Sequence, residues 1–192
     1  MSFEKLKEAL DANSILLAAL VLKTIPDINA TDDSFGPENA NALTYALKSS
    51  GPEMVLFLLN QGANPVHLGM YHNTPLHLST IYDRPDIVEA LIKLGVDVNK
   101  RNSYGYTSLH LAIRNETVRC AEILLKAGAD TSAQDREGYT ALHEAVVTGH
   151  VHLVSLLLSW GADSSLANAD GLLPHQCTQD EEMVAILRNS MR

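Results

Sequence analysis

The segment TSLHLA at residues 107–112 is the strongest indication of the fold, because the chain repeats it at a constant interval. TPLHLS stands at residues 74–79 and TALHEA at residues 140–145, each 33 residues from its neighbour. The same step leads back to NALTYA at residues 41–46, and forward to a weaker copy, LPHQCT, that begins at Leu173. Self-similarity at a period of this length is the signature of a repeat architecture.

Each copy predicts two helices joined by a break. Threonine is a good N-cap, and a proline in the place of Pro75 suits the first helical position. Leucines and small residues of the first helix are predicted to face the core and let helices approach closely: Leu76, Leu109, Leu142, Ser79, Ala112 and Ala145. We expect the break at Pro52, Pro85 and Gly149, and the second helix over residues 87–94, 121–126 and 153–159. That helix ends at a periodic glycine able to adopt the left-handed conformation: Gly62, Gly95, Gly128 and Gly161.

The T-P-L-H-x-A signature and the 33-residue period resemble the ankyrin repeat. The resemblance implies an all-α solenoid of helix-turn-helix units with projecting turns and capping repeats at both ends. It also implies that the repeated histidines, His77, His110 and His143, bond backbone groups and tie neighbouring repeats together. A catalytic residue has no reason to recur once per repeat, so we assign these histidines to the architecture.

The whole chain, residues 1–192, is predicted to be a single ankyrin-repeat domain. Residues 1–30 form an N-terminal helical cap, with helices around residues 4–12 and 15–24, and Ile15 to Leu22 is expected to be a buried helix. Inner helices start near residues 41, 74, 107 and 140, and residues 163–192 form a C-terminal capping repeat. A loop containing Pro37 is expected over residues 27–39.

Composition narrows the class of partner. The chain has 192 residues, is 46% hydrophobic and carries a formal net charge of -9. This charge disfavours nucleic acid as a partner, because nucleic acid binds to clusters of lysine and arginine. It favours another protein as the partner, in particular one with a basic segment. No segment has the length of a membrane span, and only Cys120 and Cys177 are present, so we expect no membrane association and a reducing compartment. The predicted location is the cytoplasm, with the nucleus as an alternative, and the protein alone is expected to be a monomer.

Candidate chemistry is sparse, and we predict no enzyme activity, no cofactor and no metal site. The sequence contains no P-loop, G-x-G-x-x-G or G-x-S-x-G motif. His150 and His152 stand two residues apart, which places them on different helix faces, and no cysteine or carboxylate is expected to complete a metal site. Cys120 is predicted to be a small packed residue rather than a reactive thiol.

Protein binding is therefore the predicted function, through the projecting turns and the exposed ends of the inner helices, a surface that is concave in ankyrin arrays. Tyrosine and arginine are enriched among the residues that contribute most to binding. Tyr106 and Tyr139 precede the repeated threonine, so they either bind a partner or pack the next turn. The predicted partner-binding residues are Met70, Tyr71, Ile81, Tyr82, Ser103, Tyr104, Tyr106, Arg114, Asn115, Arg136, Glu137 and Tyr139.

Two finer resemblances concern modification and the partner. Ankyrin repeats as a class are hydroxylated at an asparagine in the turn after the second helix, with a leucine eight residues upstream. Asn99 with Leu91 matches this pattern, and Asn64 with Leu56 matches it less well. Residues 76–95 resemble the equivalent hairpin of IκB-type inhibitors of Rel-family transcription factors, although the D-S-G-x-x-S degron and acidic tail of those proteins are absent. A regulatory or adaptor subunit of an enzyme or ubiquitin-ligase complex is a further alternative.

Overall fold

The repeated threonines begin helices in the computed structural model, which describes residues 2–36 and 39–190. Thr74, Thr107 and Thr140 each accept a hydrogen bond from the backbone N–H of the histidine three residues on. The histidine Nδ1 in turn accepts from the threonine backbone N–H, at 3.2 Å in all three copies. The predicted threonine caps are confirmed, and the histidine supplies the second half of each capping box.

The described chain folds into eleven α-helices, and no strand occurs within these residues. It divides into two compact units, which we call unit 1, Met1–Val96, and unit 2, Asp97–Arg192. The helices of unit 1 are α1 Ser2–Asp11, α2 Ile15–Leu22, α3 Ala42–Ser49, α4 Pro52–Asn60, α5 Pro75–Ile81 and α6 Pro85–Lys93. Those of unit 2 are α7 Ser108–Arg114, α8 Val118–Lys126, α9 Ala141–Val147, α10 Val151–Ser159 and α11 Glu181–Ser190. The all-α prediction is confirmed, whereas the single domain over residues 1–192 stays a prediction.

Packing follows the repeat in each unit. In unit 1, α1, α3 and α5 stack in order, and each also packs on the helix that follows it. In unit 2, α7 packs on α9, and α10 packs on α11. The repeated leucines Leu76, Leu109 and Leu142 are buried, as predicted, and burying such a side chain contributes about 1.5–3 kcal/mol. Within the described residues, no helix is long and apolar enough to cross a membrane.

The second helix of each repeat begins earlier than predicted. These helices start at Pro85, Val118 and Val151, two or three residues before the expected positions. Proline is the first helical residue of α4 and α6, where its missing N–H costs little, so Pro52 and Pro85 start helices rather than break them. The chain reverses instead through left-handed residues, as at Glu116, φ +55°, and Gly149, φ +80°.

Helix α2 departs from the prediction of a buried helix. Ala18 and Val21 are buried, but Leu16 and Leu20 are 76% and 54% exposed. Every residue of α2 is apolar, and contact with its neighbours covers only part of its circumference. At the other end of the chain, Met183 and Leu187 of α11 are buried, and a short 3-10 turn, Pro174–Gln176, replaces an inner helix. Pro37, the residue expected to shape the N-terminal loop, lies outside the described residues.

Candidate partner-binding surface

Unit 1 contains an open cavity of about 670 Å³ on the exposed side of α3 and α5. Four of the predicted binding residues line it: Met70, Tyr71, Ile81 and Tyr82. Tyr71 is 46% exposed, and Met70 and Tyr82 also reach solvent. The structure therefore brings together the predicted residues of unit 1 around a concave, mostly apolar surface of a size usual for ligand sites.

Several residues of this cavity were not expected from the sequence. Tyr45 and Leu78 both line it, and both occupy the x position of T-P-L-H-x-A, which the sequence pattern could have identified as a surface position. Phe35 joins them from the loop that follows α2, with its ring 5.8 Å from that of Tyr45. Lys7 and Lys48 supply the positive charges of the lining, and Asp33 supplies a negative one.

The turn that carries Tyr71 differs from its counterparts in unit 2. In the unit 2 turns a glycine, as at Gly105 and Gly138, takes a left-handed conformation. One period before Gly105 stands His72, which has φ +57°, and the preceding Tyr71 has φ +56°. Side-chain-bearing residues in this region cost about 1–2 kcal/mol each, and such strain is often found at functional sites. This turn therefore holds the exposed side chain of Tyr71 at the cavity at the expense of backbone strain in Tyr71 and His72.

Replacing His72 with glycine is expected to raise the free energy of unfolding by about 0.5–1 kcal/mol. Glycine relieves the left-handed strain, and its greater freedom in the unfolded chain offsets part of the gain. The matched His72→Ala variant removes the imidazole but keeps a side chain, so it should show no such gain. Chemical denaturation followed by circular dichroism measures both. A glycine variant no more stable than the alanine variant would contradict the conformation of His72.

In unit 2, the predicted residues form a surface of tyrosines and charges. Tyr104 is 49% exposed, and its carbonyl accepts a hydrogen bond from Arg136 N at 3.1 Å, which joins two successive turns. Arg114 donates to the hydroxyl of Tyr106 at 2.7 Å and lies 5.5 Å from the centre of its ring. Among the remaining predicted residues of this unit, Arg136, Glu137 and Asn115 are exposed and Ser103 is half-buried.

Tyr106 and Tyr139 lie half-buried against the repeated histidines. The ring of Tyr106 is 5.9 Å from that of His110, and the ring of Tyr139 is 5.4 Å from that of His143. His110 Nε2 lies 3.1 Å from the carbonyl oxygen of Tyr139, so the histidine also bonds the next turn. These contacts agree with the alternative in which both tyrosines pack against a neighbouring turn. The hydroxyl of Tyr106 nevertheless accepts a hydrogen bond from Arg114 at the surface.

Glu144 is a buried carboxylate that sequence reasoning did not single out. It occupies the x position at which the preceding repeat has Leu111, and its side chain is only 8% exposed. Burial raises the pKa of Glu144, and Arg114, 3.4 Å away, opposes that rise. Asp135 and Glu137 add to the negative potential around it. A cationic group placed here would gain more than at an ordinary surface carboxylate, because the site is partly desolvated.

The pair His150 and His152 has a carboxylate neighbour that the sequence analysis did not foresee. Glu116 Oε1 lies 3.5 Å from His150 Nδ1 and 3.8 Å from His152 Nε2. His150 is the N-cap of α10 and lies outside the helix. The expectation that the two histidines lie on different helix faces therefore does not apply. In the part of the chain that the structure describes, no group of histidine, cysteine and carboxylate side chains is arranged to hold a metal ion. Cys120 is buried, as predicted.

Asn99 lies exposed in the turn after α6 and joins two repeats. Its Oδ1 accepts from Asp130 N at 2.8 Å, and its Nδ2 donates to the carbonyl of Gly128 at 3.4 Å. Asn29 makes the same pair of bonds in unit 1, to Asn64 N and to the Gly62 carbonyl. Asn64 accepts from the backbone two residues on, as Asp97 does before Asn99, so Asn64 corresponds to Asp97 rather than to Asn99.

Comparison with known families agrees with this geometry. The family model for ankyrin repeats in three copies matches residues 6–102 and 95–168. No curated protein matches the chain. The matched residues make up most of the sequence, and they include the T-P-L-H copies and their histidine-containing capping boxes. The predicted ankyrin-repeat solenoid is confirmed, and the chain belongs to the ankyrin-repeat family.

Proposed function

We propose that the protein is a non-catalytic binding module that holds a partner protein on the turns and exposed inner-helix surfaces of its repeats. Ankyrin repeats are general protein–protein interaction modules, and they are typically not catalytic. The observation that carries the proposal is the cavity of unit 1, where Met70, Tyr71 and Tyr82 leave large side chains exposed around an apolar surface. Exposed apolar groups gathered in this way mark interaction sites.

The surface of unit 2 supports the proposal independently. Tyr104 presents a rigid amphipathic ring, and Arg114 is held in place by Tyr106 and Glu144. Tyrosine and arginine in ordered surroundings contribute strongly to binding, because little side-chain entropy remains to be lost. Together with the net charge of -9, the carboxylates of Glu137 and Glu144 favour a basic segment of the partner at this surface.

Finer assignments follow from the sequence. The likeness of residues 76–95 to IκB-type inhibitors supports an alternative in which the partner is a Rel-family transcription factor. A regulatory or adaptor subunit of an enzyme or ubiquitin-ligase complex would use the same surfaces. We place the protein in the cytoplasm, with the nucleus as an alternative, and infer that it is a monomer until it meets its partner.

We also propose that Asn99 is a hydroxylation site. Its side chain lies in an exposed turn, and Leu91, eight residues upstream, is buried in α6. Mass spectrometry of protein from hydroxylase-containing cells should show an added oxygen on the peptide that contains Asn99. Wholly unmodified Asn99 in such cells would contradict the proposal.

Affinity capture from native lysate tests the binding surfaces. A variant with Tyr71, Tyr82 and Tyr104 changed to alanine should recover at least about tenfold less partner, since alanine at such positions typically costs 1–2 kcal/mol each. A variant that changes only Tyr71 and Tyr82, in unit 1, and one that changes only Tyr104, in unit 2, show which surface contributes to binding. Trp160→Ala is the matched control, because Trp160 is 43% exposed at the end of α10 and lies outside both surfaces. Undiminished recovery by a correctly folded triple variant would contradict the assignment, and identification of a captured partner tests the Rel alternative.

A further inference from the structure

We propose that the cavity of unit 1 takes an apolar side chain from an extended segment of the partner, and that Lys48 pairs with a carboxylate beside that side chain. The inference rests on the proposed function and names the chemistry of the ligand that this surface selects. It follows from the apolar character of the cavity and from Lys48, a cation of its lining that takes part in no ion pair within residues 2–36 and 39–190.

The lining of the cavity is suited to a single large apolar group. Tyr45 and Leu78 come from equivalent positions of α3 and α5, and Phe35 and Ile81 extend the apolar lining. The volume of about 670 Å³ lies within the range of sites that enclose a ligand, and the cavity is open to solvent. An aromatic or leucine side chain would fill part of this space, while the rest of its segment ran along the open side.

The two lysines of the cavity differ in what they can still bind. Lys7 donates to Asp11 at 2.7 Å and lies 5.1 Å from the centre of the Tyr45 ring. These contacts with Asp11 and Tyr45 favour the ammonium form and raise the pKa of Lys7, and the carboxylate of Asp11 already balances its charge. Lys48 is exposed in the last turn of α3, and no ion pair within residues 2–36 and 39–190 involves it. A carboxylate of the ligand would therefore find an unpaired cation at Lys48.

Asp33 also lines the cavity, and its negative charge would favour a ligand of the opposite kind from the one that Lys48 favours. It begins the short 3-10 turn Asp33–Phe35, whereas Lys48 lies near the C-terminal end of α3. A ligand that bound mainly through Asp33 would carry a basic residue beside its apolar group. The sign of the preferred flanking charge thus distinguishes recognition by Lys48 from recognition by Asp33.

The test uses three fluorescein-labelled peptides that share one phenylalanine: Gly-Ser-Gly-Phe-Glu-Ser-Gly and its versions with glutamine or lysine in place of glutamate. Fluorescence anisotropy with the full chain should give the glutamate peptide a Kd about three- to fivefold below that of the glutamine peptide. This is the upper part of the range for one exposed ion pair. The lysine peptide should bind least tightly, and added salt should narrow the differences.

Charge reversal supplies the decisive comparison. Lys48→Glu should reverse the order, so that the lysine peptide binds most tightly. Lys93→Glu is the matched control, because it makes the same charge change at the end of α6, outside the cavity lining, and should leave the order unchanged. Circular dichroism checks that both variants are folded.

Three results would overturn the inference. The first is no binding or no preference among the peptides with folded wild-type protein, and the second is an order that Lys48→Glu leaves intact. The third is binding of N-acetyl-phenylalanine as tight as that of the glutamate peptide, which would indicate a small-molecule site instead of a peptide site. If capture still depends on Tyr71 and Tyr82 in any of these cases, the proposed function stands and only the ligand chemistry is wrong. The expected peptide order with unaffected capture would instead count against the proposed role of the tyrosines.

Discussion

Alanine at Gly138 is expected to lower the free energy of unfolding by about 3 kcal/mol or more. Gly138 has φ +78°, and a Cβ added there would lie 2.5 Å from Ala169 N and 2.9 Å from Asn168 C. Both atoms belong to the backbone of the next turn, so no side chain can move aside. The same approach carries the hydrogen bond from Ala169 N to the Glu137 carbonyl, at 3.0 Å, which the substitution would break. The loss of stability therefore has three causes: the left-handed conformation of a residue with a side chain, the clash with backbone atoms and the loss of a hydrogen bond.

Gly161→Ala is the matched control for this prediction. Gly161 has φ +80°, but an added Cβ would meet nothing within 4 Å. Its replacement should cost only the left-handed strain, about 1–2 kcal/mol. Urea denaturation of both variants, with the m-values compared, separates the two contributions. Equal losses at Gly138 and Gly161 would contradict the close stacking of successive turns in unit 2.

Alanine at His110 is expected to cost about 2–4 kcal/mol of stability without selectively abolishing partner binding. Nδ1 of His110 lies 3.2 Å from Thr107 N, a pure donor, so Nδ1 is the unprotonated acceptor. Nε2 therefore carries the proton and donates it to the Tyr139 carbonyl at 3.1 Å. Removing the ring leaves a cavity and unpaired buried backbone groups on two repeats. His152→Ala, at an exposed position of the same unit, should change stability by no more than about 0.5 kcal/mol.

The pH dependence of this loss provides a second measurement. Burial lowers the pKa of His110 because it penalises the imidazolium form. As the pH falls below about 6.5, the unfolded chain takes up the proton before the folded chain does, so the stabilisation that His110 provides is lost on acidification. The stability difference between wild type and His110→Ala should therefore shrink from about pH 7.5 to about pH 5.5. Unchanged stability with lost binding would show that His110 belongs to the binding surface instead.

Much of the candidate site was predictable, because the repeat assigns each residue a structural position. Met70, Tyr71, Ile81 and Tyr82 were expected at the binding surface from their register, and they line one cavity. Tyr45 was missed although it shares the register of Leu78, because its copy, NALTYA, matches the signature poorly. Lys7 was missed for a different reason. It comes from α1, outside the clear repeats, and only the packing of α1 on α3 brings it beside Tyr45.

The ankyrin fold, the threonine caps and the structural role of the histidines could all be predicted from the repeat alone. These features depend on contacts within one repeat or between neighbours, and a 33-residue period reports such contacts directly. The side chains that remain available to a partner could be identified only once the helices and turns were packed together. Packing places Tyr106 and Tyr139 against histidine rings and pairs Lys7 with Asp11, whereas no ion pair of the described residues involves Lys48. Pairing and burial depend on distances in space between side chains, and a one-dimensional pattern of residue types carries no information about those distances.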